Sequence, residues 1–179
     1  VYVADTNNHR VQKFDPHWIG LGAPESLFHA TCSDKTPVLA LRFADVRIPP
    51  GATVQAATLA LTVAYHDDPQ LAITCEDADN AAALSDLGGF DLSGRTPTSA
   101  ARAWDGSDLG GDAVVGGANF RLTSPDFAPG VKEVVDRGGW AAGNALAVRL
   151  TDAGTGGGLW AYGLDAVSEL RPSLTVRWT

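Results

Sequence analysis

VLALRFADVRIPPGATVQAATLALTVAY, residues 38–65, decides the fold. Val38, Leu39, Leu41 and Phe43 alternate with small or polar residues, the two-residue period of a strand with one buried face. RIPPGA (Arg47 to Ala52) is a turn, because Pro49 and Pro50 fix the backbone and Gly51 frees it. Thr53 to Tyr65 then reads as one long strand or two short ones, with Leu59, Leu61 and Val63 on one side.

Outward from this unit the same grammar repeats. Ser26 to Thr31, Gln70 to Glu76 and Phe120 to Thr123 read as further short strands. So do the three closing segments Asn144 to Leu150, Leu159 to Asp165 and Ser173 to Thr179. In SPDFAPGVKEVVDRGGW, Val131, Val134 and Val135 share one face of a short helix, with Pro129 near its start and Gly138 just past Arg137. Residues 77–112 are irregular, and Phe90 and Trp104 read as tucked inward. Many short strands, one helix and no βαβ spacing predict an all-β, antiparallel, jelly-roll-like β-sandwich with an N-terminal β-hairpin appendage. A parallel sheet is not expected.

That appendage is VYVADTNNHRVQKF: Val1 to Asp5 and His9 to Phe14 read as two strands joined by Thr6, Asn7 and Asn8. DPHWIGLGAPE (Asp15 to Glu25) follows as a Gly- and Pro-rich linker with Trp18 and Ile19 as anchors. The expected organisation is a hairpin over 1–16, a linker over 17–25 and a sandwich over 26–179. An isolated two-stranded hairpin is marginal in water, so this one needs a surface to pack on.

Composition bounds the function. A 179-residue chain is long enough for a core without staples. Thirteen basic against 21 acidic residues give a net charge of −8, a poor match to nucleic acid or to an anionic membrane. No apolar run reaches the length of a membrane span. The chain has no Met and starts inside a strand-like segment, so it reads as a processed piece of a longer precursor.

Two cysteines, Cys32 and Cys75, are too few for a metal site. They are either buried free thiols or one disulfide, and secretion would favour the bridge. The four histidines are scattered, and His66 beside Asp67 and Asp68 reads as a turn cap rather than as a catalytic base. Neither an H-E-x-x-H nor a G-x-S-x-G pattern is present, so no enzymatic activity is expected.

Structural calcium is the one cofactor the acidic clusters bring to mind. Asp77 and Asp79 begin like a calcium loop, but Ala81 and Ala82 stand where a ligand and Gly are required. Asp105, Asp108 and Asp112 sit in a Gly-rich stretch whose backbone oxygens could complete a hard-cation shell. Solvated turn residues are the plainer reading of both. Flat rings stack on sugars, which makes Trp104, Trp160 and Tyr162 the carbohydrate-binding candidates. Trp140 and Trp178 read as core.

Two resemblances sharpen these expectations. VYVADTNNHRVQKF resembles an NHL repeat, the unit of a six-bladed β-propeller, but covers two strands of a four-stranded blade. ALRFADVRIPPGATVQAATLALTV (40–63), SPDFAPGVKEVVDRGGWAAGNALAVRL (124–150) and LRPSLTVRWT (170–179) are similar to secreted DNRLRE and carbohydrate-binding-module-like sandwiches. The second resemblance implies an extracellular or cell-surface bacterial protein. The half-blade then has three readings: a remnant of lost blades, an added edge on its own sandwich, or a strand pair given to a neighbouring subunit. In the third, Val1, Tyr2, Val3, Val11 and Phe14 are the anchors. The expected role is a non-enzymatic structural or adhesion module, with self-association or neighbouring surface proteins as partners. The alternative is a carbohydrate-binding module of a larger propeller-containing protein, with polysaccharide as its partner.

Overall fold

The computed structural model describes residues 2–5, 10–11, 19–21, 38–66, 69–83, 94–105, 120–153, 159–162 and 170–179, and every statement below refers to these. Eleven strands and one regular helix appear among them: β1 (Tyr2–Asp5), β2 (Arg10–Val11), β3 (Ile19–Leu21), β4 (Val38–Phe43), β5 (Val54–His66), β6 (Leu71–Cys75), β7 (Arg102–Trp104), β8 (Phe120–Thr123), α1 (Ala128–Val135), β9 (Leu146–Asp152), β10 (Leu159–Ala161) and β11 (Ser173–Trp178).

They form two sheets. One runs β2-β1-β4-β9-β6-β7. The other runs β11-β5-β10-β3, with β8 also on β5. Ala60 pairs with both Ser173 and Thr123, and Val63 with both Ala161 and Phe120, so β5 carries β11 and β10 along one side and β8 along the other. The thirteen residues of β5 are one strand, and the turn before it closes with Ala52 N–H donating to the Pro49 carbonyl (3.2 Å). Gly51 takes φ +70° there, the left-handed position of a type II turn.

The core lies between the sheets. Leu39 and Leu41 of β4, Ile73 of β6, and Val148 and Leu150 of β9 face Ala57, Leu59, Leu61 and Val63 of β5. Each large side chain so buried contributes roughly 1.5–3 kcal/mol. Helix α1 closes one end with Val131, Val134 and Val135, the three valines of the sequence pattern. Trp140 follows it into the core, and its indole N–H donates to the Ile48 carbonyl (3.0 Å).

The segment joining β8 to α1 extends the β5 ladder with side chains. Leu59 N–H donates to Ser124 Oγ (2.9 Å) and Ala57 N–H to Asp126 Oδ1 (2.8 Å). The same Oδ1 accepts from Ala128 N–H (3.0 Å), so Asp126 serves the strand and the first turn of the helix together.

The sandwich of short strands with one helix is the fold that the alternation predicts. Three details differ. Ile19–Leu21, inside the stretch read as a linker, is strand β3 and pairs antiparallel with β10. Strand β1 joins β4 in parallel, so one sheet is mixed; the crossover between them runs through β3 in the other sheet instead of through a helix. Trp178 is 41% exposed instead of core, because the register shifts between Arg177 and Trp178 and turns the last residue of β11 outward. The strand expected over 26–31, Phe90 and Trp18 lie outside the described residues.

Candidate functional site

The N-terminal hairpin and the edge it covers are the first candidate. In the hairpin, Ala4 faces Val11 and Asp5 faces Arg10 in an antiparallel pair; the expected turn residues Thr6, Asn7 and Asn8 lie outside the described residues. Four registered pairs tie β1 to β4: Tyr2 with Leu39, Val3 with Ala40, Ala4 with Leu41 and Asp5 with Arg42. The other side of β4 pairs with β9 over six residues. Strand β4 is therefore an interior strand only while β1 is in place. Leu39 and Leu41 are buried towards the core and Ala40 on the opposite face. Of the expected anchors, Tyr2 and Val3 lie in β1 and Val11 in β2, while Val1 and Phe14 lie outside the described residues.

The second candidate is a polar network across β4, β9 and the end of β6 in the same sheet. Arg95 reaches Glu76 (3.0 Å) and also donates to the Ala82 and Ala83 carbonyls (3.0 and 2.9 Å). Arg149, on β9 opposite Thr74, is buried beside this pair. Loss of water lowers its pKa, against the pull of Glu76, and Arg95 adds to the lowering. Arg42 Nε donates to the Ala81 carbonyl (2.8 Å), which joins the hairpin-bearing strand to the same loop.

Arg137, just after α1, donates through Nη1 to Asp77 and through Nε to Asp79 (2.6 Å). Its pKa is raised by these hydrogen bonds, that to Asp79 first. Gly139 allows the approach: a Cβ there would stand 2.1 Å from Asp79 Oδ2. Asn144 Nδ2 donates to the Asp79 carbonyl (2.9 Å), and Ala145 N–H donates to Asn80 Oδ1 (2.8 Å). The acidic pair that offered a calcium candidate is thus part of an intramolecular clamp, with the Arg137 guanidinium held between the two carboxylates. Asp105 is exposed beyond β7, and Asp108 and Asp112 lie outside the described residues. Among the described residues no three His, Cys, Asp or Glu side chains gather as metal ligands.

The structure decides two readings that the sequence left open. Trp104 is 0% exposed, set opposite Leu71 in the β6–β7 ladder and packed into the core, so its ring cannot stack on a sugar. Cys75 is a free buried thiol, so the Cys32–Cys75 bridge is not made; Cys32 lies outside the described residues. Burial pushes the Cys75 thiol up to about 12, with Glu133 adding to the effect. Trp160 takes its place in β10 between Tyr65 and Gly20, and Tyr162 follows half-buried, its N–H donating to the Thr62 carbonyl (2.8 Å).

The clamp of Arg137 and the neighbouring Glu133 were not singled out by the sequence. Glu133, on α1, accepts from Ser99 N–H, Ser99 Oγ and Ala100 N–H, each at 2.7 Å, and these bonds hold its pKa below the usual carboxylate value, the Ser99 hydroxyl first. Partners 33 to 60 residues away leave no local pattern to read.

The NHL repeat family matches residues 1–14, the hairpin itself. No curated protein matches the chain. Among the described residues no helix is long and apolar enough to cross a membrane.

Proposed function

We propose that the chain is a non-enzymatic structural or adhesion module of an extracellular polymer, joined to its neighbour through the N-terminal hairpin. The observation that carries this reading is the β1–β4 ladder. A short segment attached by a long connection supplies a complete edge to a sandwich that otherwise leaves β4 open. Open, apolar edges template further pairing, and strand addition fills them with main-chain hydrogen bonds. The ladder made to the chain's own β4 has the same geometry when it is made to a neighbour's. Passed head to tail, such a heterologous contact does not close and builds a filament. The resemblance read from the sequence of residues 40–63, 124–150 and 170–179 is what supports an extracellular or cell-surface setting.

Light scattering and negative-stain imaging of the intact protein test this, beside a Val3→Pro variant and a chain lacking residues 1–14. The expected result is long polymers from the intact chain and dispersed, folded sandwiches from both variants, because Pro cannot donate in a ladder. A monomeric intact chain at high concentration overturns the reading.

The NHL match favours a second reading, in which the two strands belong to a propeller blade of a longer protein; we propose carbohydrate binding as the role of the sandwich in that setting. It predicts polysaccharide retention that Trp160→Ala or Tyr162→Ala removes while the oligomeric state stays the same.

A further inference from the structure

We infer that the element exchanged between copies is not the hairpin alone but the whole segment from Tyr2 to Leu21, a clasp that covers one edge of each sheet. This rests on the donation reading above. It identifies the acceptor as a second copy of this chain, with β4 and β10 as a paired receiving edge.

The inference follows from where β3 lies. Only residues 12–18 separate β2 from β3. Strand β2 belongs to the sheet of β4 and β3 to the other sheet. There Ile19, Gly20 and Leu21 pair antiparallel with Ala161, Trp160 and Leu159. Strand β3 also lies close to β4, so the two ladders occupy the same side of the sandwich. One continuous piece of chain therefore seals both sheets where they would otherwise end.

Reach decides what moves. Seven residues, fully extended, span at most about 25 Å. A domain of this length has a radius of gyration of about 16 Å and is roughly 40 Å across. If β3 stayed on its own β10, the hairpin could reach only a β4 within about 25 Å of that edge, short of one that lies beyond a sandwich roughly 40 Å across. The sixteen residues 22–37 span at most about 55 Å, which does clear it. The crossing point thus falls between Leu21 and Val38, and β3 travels with the hairpin.

Disulfide trapping in the full-length chain, with Cys32→Ser as background, tests this. Facing residues of paired strands sit within the Cα separation that a disulfide bridges. Val3→Cys with Ala40→Cys reports the β1–β4 ladder, and Asp5→Cys with Arg42→Cys repeats it two residues on, where Arg42 is less buried than Ala40. Gly20→Cys with Trp160→Cys reports the β3–β10 ladder. After oxidation of the assembled protein, the products are separated on a denaturing gel without reductant.

The expected result is a ladder of whole-chain multiples from both ladders' pairs. Multimers from the β1–β4 pairs with cyclised monomers from Gly20–Trp160 would overturn the clasp and leave hairpin donation standing. Cyclised monomers from all pairs would overturn donation, and the clasp with it. A folded, assembled protein in which no pair closes would overturn the clasp by denying its registers.

Discussion

Asp126→Ala removes one oxygen that two backbone N–H groups share. Ala57 N–H, on the fully buried core face of β5, gives up its bond of 2.8 Å, and Ala128 N–H at the start of α1 gives up its bond of 3.0 Å. An unsatisfied buried donor costs about 1–3 kcal/mol, and loss of an acceptor at a helix start about 1 kcal/mol. The sum is about 2–4 kcal/mol. For a domain near this size each kcal/mol lowers Tm by about 2–4 °C, so the variant should melt about 4–16 °C earlier. Asp126→Asn keeps an amide oxygen at the same place and should recover most of the loss. Urea denaturation followed by far-UV circular dichroism and tryptophan fluorescence measures both, and coincident curves license the free energies. An alanine variant within about 0.5 kcal/mol of the parent would refute the reasoning, since a shared acceptor of this kind cannot be lost silently.

Three other outcomes follow from the same contacts. Trp140→Phe leaves the buried Ile48 carbonyl without its donor and should cost about 1–3 kcal/mol, read as a lower urea midpoint at unchanged slope; an unmoved midpoint would exclude the bond as a contributor. Glu133 has a folded-state pKa below its ordinary value, so its contribution is full above the ordinary carboxylate pKa and fades as pH falls through the lowered one. Glu133→Gln should flatten that acid limb of the stability curve, and solvent screening of this outward-facing group keeps the difference under about 1 kcal/mol. A limb unchanged by the substitution would assign the acid sensitivity elsewhere. In a Cys32→Ser background, Cys75 should label with a thiolate-seeking reagent at pH 8 about a thousandfold more slowly than an ordinary thiol, and at the ordinary rate in denaturant. Rapid native labelling would show that the thiol is not sealed in the core.

What local periodicity encodes was legible, and what distant pairing encodes was not. Strands β4, β5 and β11 and the helix declare themselves by alternation or by the valine face, because one side of each meets the core, whereas β6 and β9 show as short apolar runs buried on both faces. Ile19–Leu21 has three residues, one of them Gly, in a stretch rich in Gly and Pro, and it becomes a strand only beside residues about 140 positions later. Trp104 sits in a strand of three residues, too short to show which face is buried, and its register opposite Leu71 decides the matter. The acidic residues at 77 and 79 look like a cation site until Arg137 arrives from beyond the helix. The hairpin is evident from its turn residues, but which strand receives it depends on an edge that sequence alone does not reveal.

The strand order of the first sheet has a consequence in time. Strand β9 lies between β4 and β6, yet it is made long after either. A chain emerging from the ribosome at about 5–20 residues per second holds β6 for on the order of 4–15 s before residue 152 appears. Through that wait Leu39, Leu41 and Ile73 have no central strand to close over them, and long-range pairings of this kind fold slowly. Strand β1 is the one described partner of β4 synthesised ahead of it. The strand that fills an edge in the finished sandwich is therefore also the first neighbour the nascent sheet can acquire.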